Sequence, residues 1–184
     1  SLTGLEFASG IPGTIGGGVI MNAGAYGGEI SQVADMVKVV DRQGNVLELD
    51  NATMEFGYRT SAIKGQPFTV VEVTLRLARG ERETISEKMK ELAAKRREKQ
   101  PLEYPSAGSV FKRPEGYFAG ELIMKSGLRG YQIGGARVSD KHCGFIVNMG
   151  KATCEDVKDL IAHVQERVKA CFGVDLETEV IYVE

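Results

Sequence analysis

Alternating apolar and polar positions predict β-structure in the first half of the chain. Residues 36–41 are rich in β-branched side chains, residues 46–49 resume the pattern, and turn-forming residues 43–45 lie between them, which predicts a β-hairpin. Residues 68–78 alternate over a longer stretch and predict a long strand.

A charged helix is predicted after this strand. Thr84 and Glu87 have the spacing of a capping box, apolar side chains then recur at helical intervals, and Pro101 ends the run. Strand-rich sequence gives way to helical sequence near residue 79, so we place a domain boundary between residues 1–78 and 79–184.

The last part of the chain mixes helix and strand patterns. Residues 119–126 predict a short helix, residues 145–148 predict a strand, and the capping pair Thr153 and Asp156 begins a longer helix. Residues 174–183 predict a final strand.

A glycine-rich segment, residues 10–28, contains eight glycines. Interior glycines destabilise a helix by about 1 kcal/mol each, so we expect no stable helix over much of this segment. Glycines allow positive φ angles and close approach to the backbone, so the segment could bind a phosphate or could simply pack tightly. The residues alone leave both interpretations open.

Basic residues flank two serines in residues 95–114, where prolines and a glycine stiffen the chain. This arrangement suits a polyanionic small molecule, although composition alone favours a solvated helix end followed by an ordinary turn. Arg59 is unremarkable by itself, because a surface arginine is the common case. Glu177 and Glu179 would share one face of the predicted last strand.

Composition and charge argue against two classes of protein, nucleic-acid-binding proteins and membrane-spanning proteins. The formal net charge of −2 and the pI of about 5.8 argue against general nucleic-acid binding. The chain has no apolar run of about 18 residues, so no membrane span is expected. It begins directly in an apolar, glycine-containing segment without the pattern of a signal peptide.

The sequence contains three cysteines, Cys143, Cys154 and Cys171. Their number is odd, and no two of them have CxxC spacing. We therefore expect buried free thiols rather than a disulfide framework or a metal cluster, and a cytoplasmic location fits.

Five groups of residues, in chain order, resemble the UDP-N-acetylenolpyruvoylglucosamine reductases, which are also called UDP-N-acetylmuramate dehydrogenases. They are residues 4–7 with 9–17 and 21–27 (GLEF, SGIPGTIGG, MNAGAYG), residues 58–61 (YRTS), residues 105–112 (PSAGSVFK), residues 131–136 (YQIGGA) and residues 176–180 (LETEV). The resemblance covers essentially the whole chain.

The resemblance implies an α+β fold in two parts. Residues 1–78 would be the second half of an FAD-binding domain of the vanillyl-alcohol-oxidase (PCMH) type, and residues 79–184 a C-terminal α+β substrate-binding domain. The family's N-terminal flavin-binding region, on the order of a hundred residues, has no counterpart in this sequence. The short spacing between Arg59 and Ser109 resembles the subclass without a tyrosine loop over the substrate.

The resemblance also implies a reaction in peptidoglycan precursor synthesis. NADPH would reduce FAD, and the flavin would pass hydride to C3 of the enolpyruvyl ether of UDP-N-acetylglucosamine, giving UDP-N-acetylmuramate. Ser109 matches the residue that protonates C2, and Arg59 and Glu179 match the pair beside the substrate carboxylate. The expected partners are therefore small molecules, with no nucleic acid and no membrane span.

Binding residues follow from the same match. The expected flavin contacts are Gly10, Ile11, Pro12, Gly13, Thr14, Gly16, Gly17, Asn22, Gly24, Ala25 and Arg96. The expected substrate contacts are Lys99, Lys112 and Gln132. Arg113 stands where some relatives have an asparagine that contacts substrate. Two alternative hypotheses are a sugar-nucleotide-binding module without redox activity and nucleic-acid binding through residues 95–99.

Overall fold

The computed structural model describes residues 1–183 and divides the chain into two compact units, Ser1–Lys95 and a second that begins at Arg96. The sequence placed the boundary near residue 79, ahead of the charged helix, whereas this division falls inside that helix. The reason is that its first turns pack on the N-terminal unit. The Cδ1 atom of Ile85 and the side chain of Thr3 both lie beside Gly80.

The first unit contains one six-residue helix, most of a long helix, and seven short or medium strands. Their bounds are β1 (Leu2–Thr3), α1 (Ile15–Ile20), β2 (Gly24–Ala25), β3 (Gly28–Glu29), β4 (Ala34–Val40), β5 (Val46–Asp50), β6 (Thr69–Leu75), β7 (Ala78–Arg79) and α2 (Arg82–Lys99). The second unit contains β8 (Ser106–Ser109), α3 (Ala119–Lys125), β9 (Gln132–Ile133), β10 (Ala136–Val138), β11 (Phe145–Asn148) and α4 (Cys154–Phe172).

The main sheet of the first unit is antiparallel with strand order β5-β4-β6. The predicted hairpin is confirmed, because β4 and β5 pair along their length around the turn. The predicted long strand is divided: β6 ends at Leu75, and β7 pairs instead with β1 in a separate two-stranded sheet. The core of this unit consists of Phe7, Val19, Ile30, Val33, Ala34, Val37, Val39, Met54 and Ile63.

Within the glycine-rich segment, α1 forms despite three consecutive glycines. Thr14 caps it by accepting a hydrogen bond from the Gly17 amide at 3.2 Å, and Val19 is fully buried in the core. Burial of Val19 offsets the low helix propensity of the glycines. The expectation of little helix in this segment therefore fails over residues 15–20, while the rest is turns and two short strands.

Helix α2 begins three residues earlier than the capping box predicted. The Glu81 carbonyl already accepts the amide of Ile85 at 3.1 Å, so Thr84 lies inside the helix and the predicted cap is wrong. The predicted stop is confirmed, since the helix ends at Lys99 before Pro101.

The second unit is a four-stranded antiparallel sheet, in the order β8-β11-β10-β9, with α3 and α4 packed against it. The predicted helices and the β11 strand are confirmed, and Thr153 and Asp156 form the predicted capping box. The core lies between sheet and helices. It consists of Val110, Phe111, Ala119, Leu122, Ile123, Leu128, Ala136, Val138, Cys143, Ile146, Leu160, Ile161, Val164, Val168 and Leu176.

Residues 174–183 do not form the predicted strand. Thr178 makes an isolated antiparallel bridge to Phe111, supported by hydrogen bonds from the Lys112 amide to the Glu177 carbonyl (2.9 Å) and from the Glu179 amide to the Val110 carbonyl (2.7 Å). Leu176 is buried in the core, so the segment follows the surface of that core rather than extending the sheet.

The cysteines differ in burial. Cys143 is buried as expected, but Cys154 and Cys171 are exposed, because they lie at the two ends of α4, beyond its buried stripe. Among residues 1–183, no helix combines the length and the apolar character needed to cross a bilayer.

Candidate functional site

The loop before α1 leaves its backbone open to solvent. Gly10 and Gly13 have φ angles of 82° and 128°, which favour glycine, and Gly10, Pro12, Gly13 and Thr14 are exposed. A Cβ atom built on Gly13 would meet no atom of the described chain within 4 Å. A bound group can therefore approach this backbone closely, which fits a phosphate-bearing cofactor.

Gly24 and Ala25 lie in the β2–β3 hairpin, where the glycines have a packing role. A Cβ atom on Gly24 would lie 2.8 Å from the Gly28 carbonyl oxygen, and one on Gly28 would lie 2.5 Å from the ring of Phe7. This packing accounts for both glycines without a ligand, and the flavin contacts of Gly24 and Ala25 stay a prediction.

Asn22 is 1% exposed, and both ends of its side chain bond to the protein. Its Nδ2 donates to the Gly57 carbonyl at 3.1 Å, and its Oδ1 accepts from the Ser31 amide at 2.9 Å. The side chain thus joins the glycine-rich segment to the turn that contains Arg59.

Arg59 lies in a tight turn closed by two backbone hydrogen bonds. The Gly57 amide donates to the Thr60 carbonyl (3.1 Å), and the Thr60 amide donates to the Gly57 carbonyl (3.3 Å). Its φ of 54° is in the left-handed region, which side chains with a Cβ adopt rarely. Lys64 donates to its carbonyl at 2.8 Å, and its guanidinium lies 5.2 Å from the Tyr58 ring centre. The turn holds the arginine in one backbone geometry.

Ser61 links the same turn to the glycine-rich segment through a second side-chain hydrogen bond. It is 6% exposed and its hydroxyl donates to the Ile20 carbonyl, at the end of α1, at 2.8 Å. The structure therefore brings the predicted flavin segment and the predicted arginine motif together within the first unit.

Arg96 and Lys99 lie one turn apart on the same face at the end of α2, since residues three apart on a helix are neighbours. Arg96 is half-buried and Lys99 is exposed. Their predicted flavin and substrate contacts are compatible with these positions and stay predictions.

Ser109 owes its orientation to a bulge in β8. Phe145 pairs with Ser109 and Val147 with Ser106, so β8 carries one residue more than β11 between these pairs. Gly108 lies in the bulge with a φ of 85°. Because directly paired residues share a face, the bulge places the exposed Ser109 on the sheet face opposite the helices. Its hydroxyl makes only a long bond, 3.4 Å, to the Phe111 carbonyl.

Two more polar residues share this face of the sheet. Gln132 pairs with Arg137, whose neighbours Ala136 and Val138 point into the core on the other side. Gln132 donates to the Gly134 carbonyl at 2.8 Å. Arg137 contacts Asp140 at 2.6 Å, and its Nε is buried without a partner among residues 1–183. Sequence reasoning missed Arg137, although its position between two apolar residues signals a strand with a polar face.

The last segment places Glu179 next to Ser109. The Glu179 amide bonds to Val110, the residue after Ser109, and the neighbouring Lys112 forms an ion pair with Glu177. The backbone of Glu179, which is distant in sequence, is therefore brought next to the segment that contains Ser109 and Lys112. Arg113 lies over the Phe118 ring at 4.0 Å.

His142 also lies near Ser109 and was missed. A Cβ atom built on Gly144 would lie 3.0 Å from the His142 Cε1 and 3.6 Å from the Ser109 hydroxyl oxygen. His142 Nδ1 accepts the Gly144 amide at 3.1 Å, so the neutral ring carries its proton on Nε2. Burial lowers the pKa of His142, and the nearby Lys99 ammonium lowers it further.

Comparison with known proteins first defines a class. Residues 1–50 match the family model described as FAD binding domain, and residues 100–183 match the model described as UDP-N-acetylenolpyruvoylglucosamine reductase, C-terminal domain. FAD is thus the cofactor indicated for the first unit, and the helices and sheets are those of an α+β flavoprotein.

Similar proteins then define the family. UDP-N-acetylenolpyruvoylglucosamine reductase of Lachnoclostridium phytofermentans is 56% identical over 98% of this chain and 58% of its own length. The reductase of Clostridium botulinum is 57% identical over 98% of this chain and 59% of its own length. The crystal structure of UDP-N-acetylenolpyruvylglucosamine reductase (MurB) from Thermus caldophilus superposes with a TM-score of 0.86 at 38% identity, covering 97% of this chain and 63% of that one.

The chain belongs to the UDP-N-acetylenolpyruvoylglucosamine reductase family. It spans 58–60% of the length of the curated relatives described above and of others of similar identity.

Proposed function

We propose that this chain takes part in the NADPH-dependent reduction of the enolpyruvyl ether of UDP-N-acetylglucosamine to UDP-N-acetylmuramate. The observation that carries the proposal is that the backbone of Glu179 lies next to the segment that contains Ser109 and Lys112. The relatives of this chain bear the name of that reductase. The fastening of the Arg59 turn to the flavin segment supports it.

FAD, when bound, would supply the hydride-transfer chemistry between NADPH and the substrate. The residues that would hold it are the exposed glycine loop and its continuation, Gly10, Ile11, Pro12, Gly13, Thr14, Gly16, Gly17, Asn22 through its backbone, Gly24, Ala25 and Arg96. We assign residues 1–78 to part of a PCMH-type flavin domain and residues 79–184 to the substrate domain, with a cytoplasmic location.

Ser109 donates the proton to C2 of the substrate in this proposal. Its hydroxyl is exposed and loosely bonded, so it is available to a bound ligand. A serine is a weak acid, so a cationic neighbour must stabilise its alkoxide. Lys112, which follows closely in the chain, is the candidate for this role.

Arg59 and Glu179 flank the substrate carboxylate in this proposal. A guanidinium stabilises the negative charge that develops there, and the left-handed turn fixes the backbone from which the Arg59 side chain extends. Lys99, Lys112 and Gln132 bind the remainder of the substrate.

The test uses Ser109→Ala, with Ser106→Ala on the same strand as the matched control. With its natural flanking sequence, we expect the Ser109→Ala protein to lose turnover by roughly 10²–10⁴-fold, while reduction of the flavin by NADPH continues. The control should keep both reactions. Equal loss of flavin reduction would contradict the proton-donor role.

The second candidate function is sugar-nucleotide binding without redox chemistry. It is favoured by the compactness of the second unit, which contains Ser109, Lys112 and Gln132 by itself. Stoichiometric flavin absorbance in the purified protein would exclude this candidate.

A further inference from the structure

Two buried polar side chains hydrogen-bond the turn that contains Arg59 to the glycine-rich segment, residues 10–28, in which we expect the flavin contacts. Asn22 bonds the Gly57 carbonyl at the start of the turn, and Ser61 bonds the Ile20 carbonyl just after it. The two bonds therefore hold both ends of the turn to residues 20–22.

Both side chains are buried and hydrogen-bond to the protein backbone. Asn22 uses its amide nitrogen toward Gly57 and its oxygen toward the Ser31 amide, and it is 1% exposed. Ser61 is 6% exposed. Their burial and these hydrogen bonds argue against direct contact between these side chains and a ligand.

The turn requires such support. Arg59 has a left-handed backbone, an unfavourable conformation that persists only where surrounding contacts determine it. Loss of either bond releases one end of the turn and lets Arg59 relax toward an ordinary conformation, which moves its guanidinium.

We propose that Asn22 and Ser61 are positioning residues, which act through Arg59 on the carboxylate of the substrate. This inference rests on the proposed function and deepens it. It reassigns the Asn22 side chain from a flavin contact to a link between the flavin segment and the carboxylate-binding arginine.

The first test compares Ser61→Ala with Ser126→Ala in the full chain carrying its natural flanking sequence. Ser126 is a matched control, because it is also 6% exposed and its hydroxyl donates to the Leu122 carbonyl at 2.9 Å. Calorimetry measures binding of the enolpyruvyl sugar nucleotide to the oxidised holoprotein, and absorbance measures flavin content. We expect Ser61→Ala to weaken binding by about 10- to 100-fold at unchanged flavin content, and Ser126→Ala to leave binding unchanged.

A double-mutant cycle distinguishes positioning from general damage. In an Arg59→Gln background, Ser61→Ala should cause little further loss of binding, because the group it positions is already gone. Asn22→Asp, which keeps an acceptor for Ser31 but loses the donor to Gly57, should behave in the same way. It provides a second variant if Ser61→Ala fails to fold.

Equal loss of binding in the Arg59→Gln background would overturn the positioning role while leaving the proposed function intact. Loss of flavin in proportion to the loss of binding would also overturn it. Failure of the unmutated holoprotein to bind the sugar nucleotide would overturn the proposed function itself and this inference with it.

Discussion

Gly144 lies between the His142 imidazole and the Ser109 hydroxyl, and its missing side chain is what leaves room for both. Its carbonyl accepts the Val110 amide at 2.9 Å, and its own amide bonds His142 Nδ1. Its φ is outside the range that favours glycine, so alanine fits the backbone and only the added methyl group acts.

The magnitude follows from the contact distances. The new methyl carbon would lie 3.0 Å from His142 Cε1 and 3.1 Å from Nδ1, but 3.6 Å from Ser109 Oγ. Carbon atoms pack at about 3.5–4.0 Å, so the ring must move by a few tenths of an ångström while the hydroxyl need not. We expect Gly144→Ala to destabilise folding by about 1–3 kcal/mol through overpacking. A shift of the His142 ring beside the proton donor should lower turnover by less than the roughly 10²-fold that a 1 Å misplacement can cost.

The assay separates the two halves of the proposed reaction. Stopped-flow absorbance follows flavin reduction by NADPH, which should be unchanged, and reoxidation by the sugar nucleotide, which should slow. Thermal unfolding checks that the protein is folded at the assay temperature. Wild-type reoxidation rates in a folded Gly144→Ala protein would refute the reasoning.

Two further predictions concern stability. Gly28→Ala should destabilise the first unit by about 1–3 kcal/mol, since the new Cβ would lie 2.5 Å from the Phe7 ring, whereas Gly18→Ala, with only an ordinary 3.7 Å contact in α1, should stabilise it by about 0.5–1 kcal/mol. Denaturant unfolding measures both, and equal effects would refute the packing argument. Asp156 has a lowered pKa, because its carboxylate accepts the Thr153 and Gly135 amides. Its contribution to stability is therefore full above the ordinary aspartate pKa and is lost as pH falls through the lowered value. Asp156→Asn should flatten the acid side of the stability curve, and an unchanged acid slope would contradict this.

Local sequence determined the elements whose signals lie within a few residues. The β4–β5 hairpin follows from alternation around a turn, and α4 follows from the Thr153–Asp156 capping box and the glycine at residue 173. These elements could be predicted because their stabilising contacts are between near neighbours.

Motif order determined the candidate site residues, but not how they are held. The role of Asn22 as a link, the bulge that turns Ser109 outward, and the proximity of His142 to Ser109 depend on partners distant in sequence. No local pattern contains those pairings.

The same reason explains the errors. Helix α1 is stabilised among glycines because Val19 is buried in the core. Cys154 and Cys171 are exposed because they lie at the two ends of α4. The last segment follows the core surface because Leu176 is buried there. Sequence by itself determined the family and the identity of the candidate residues. Only the tertiary structure decided their orientation, because hydrogen bonds and packing between distant segments outweigh local propensity.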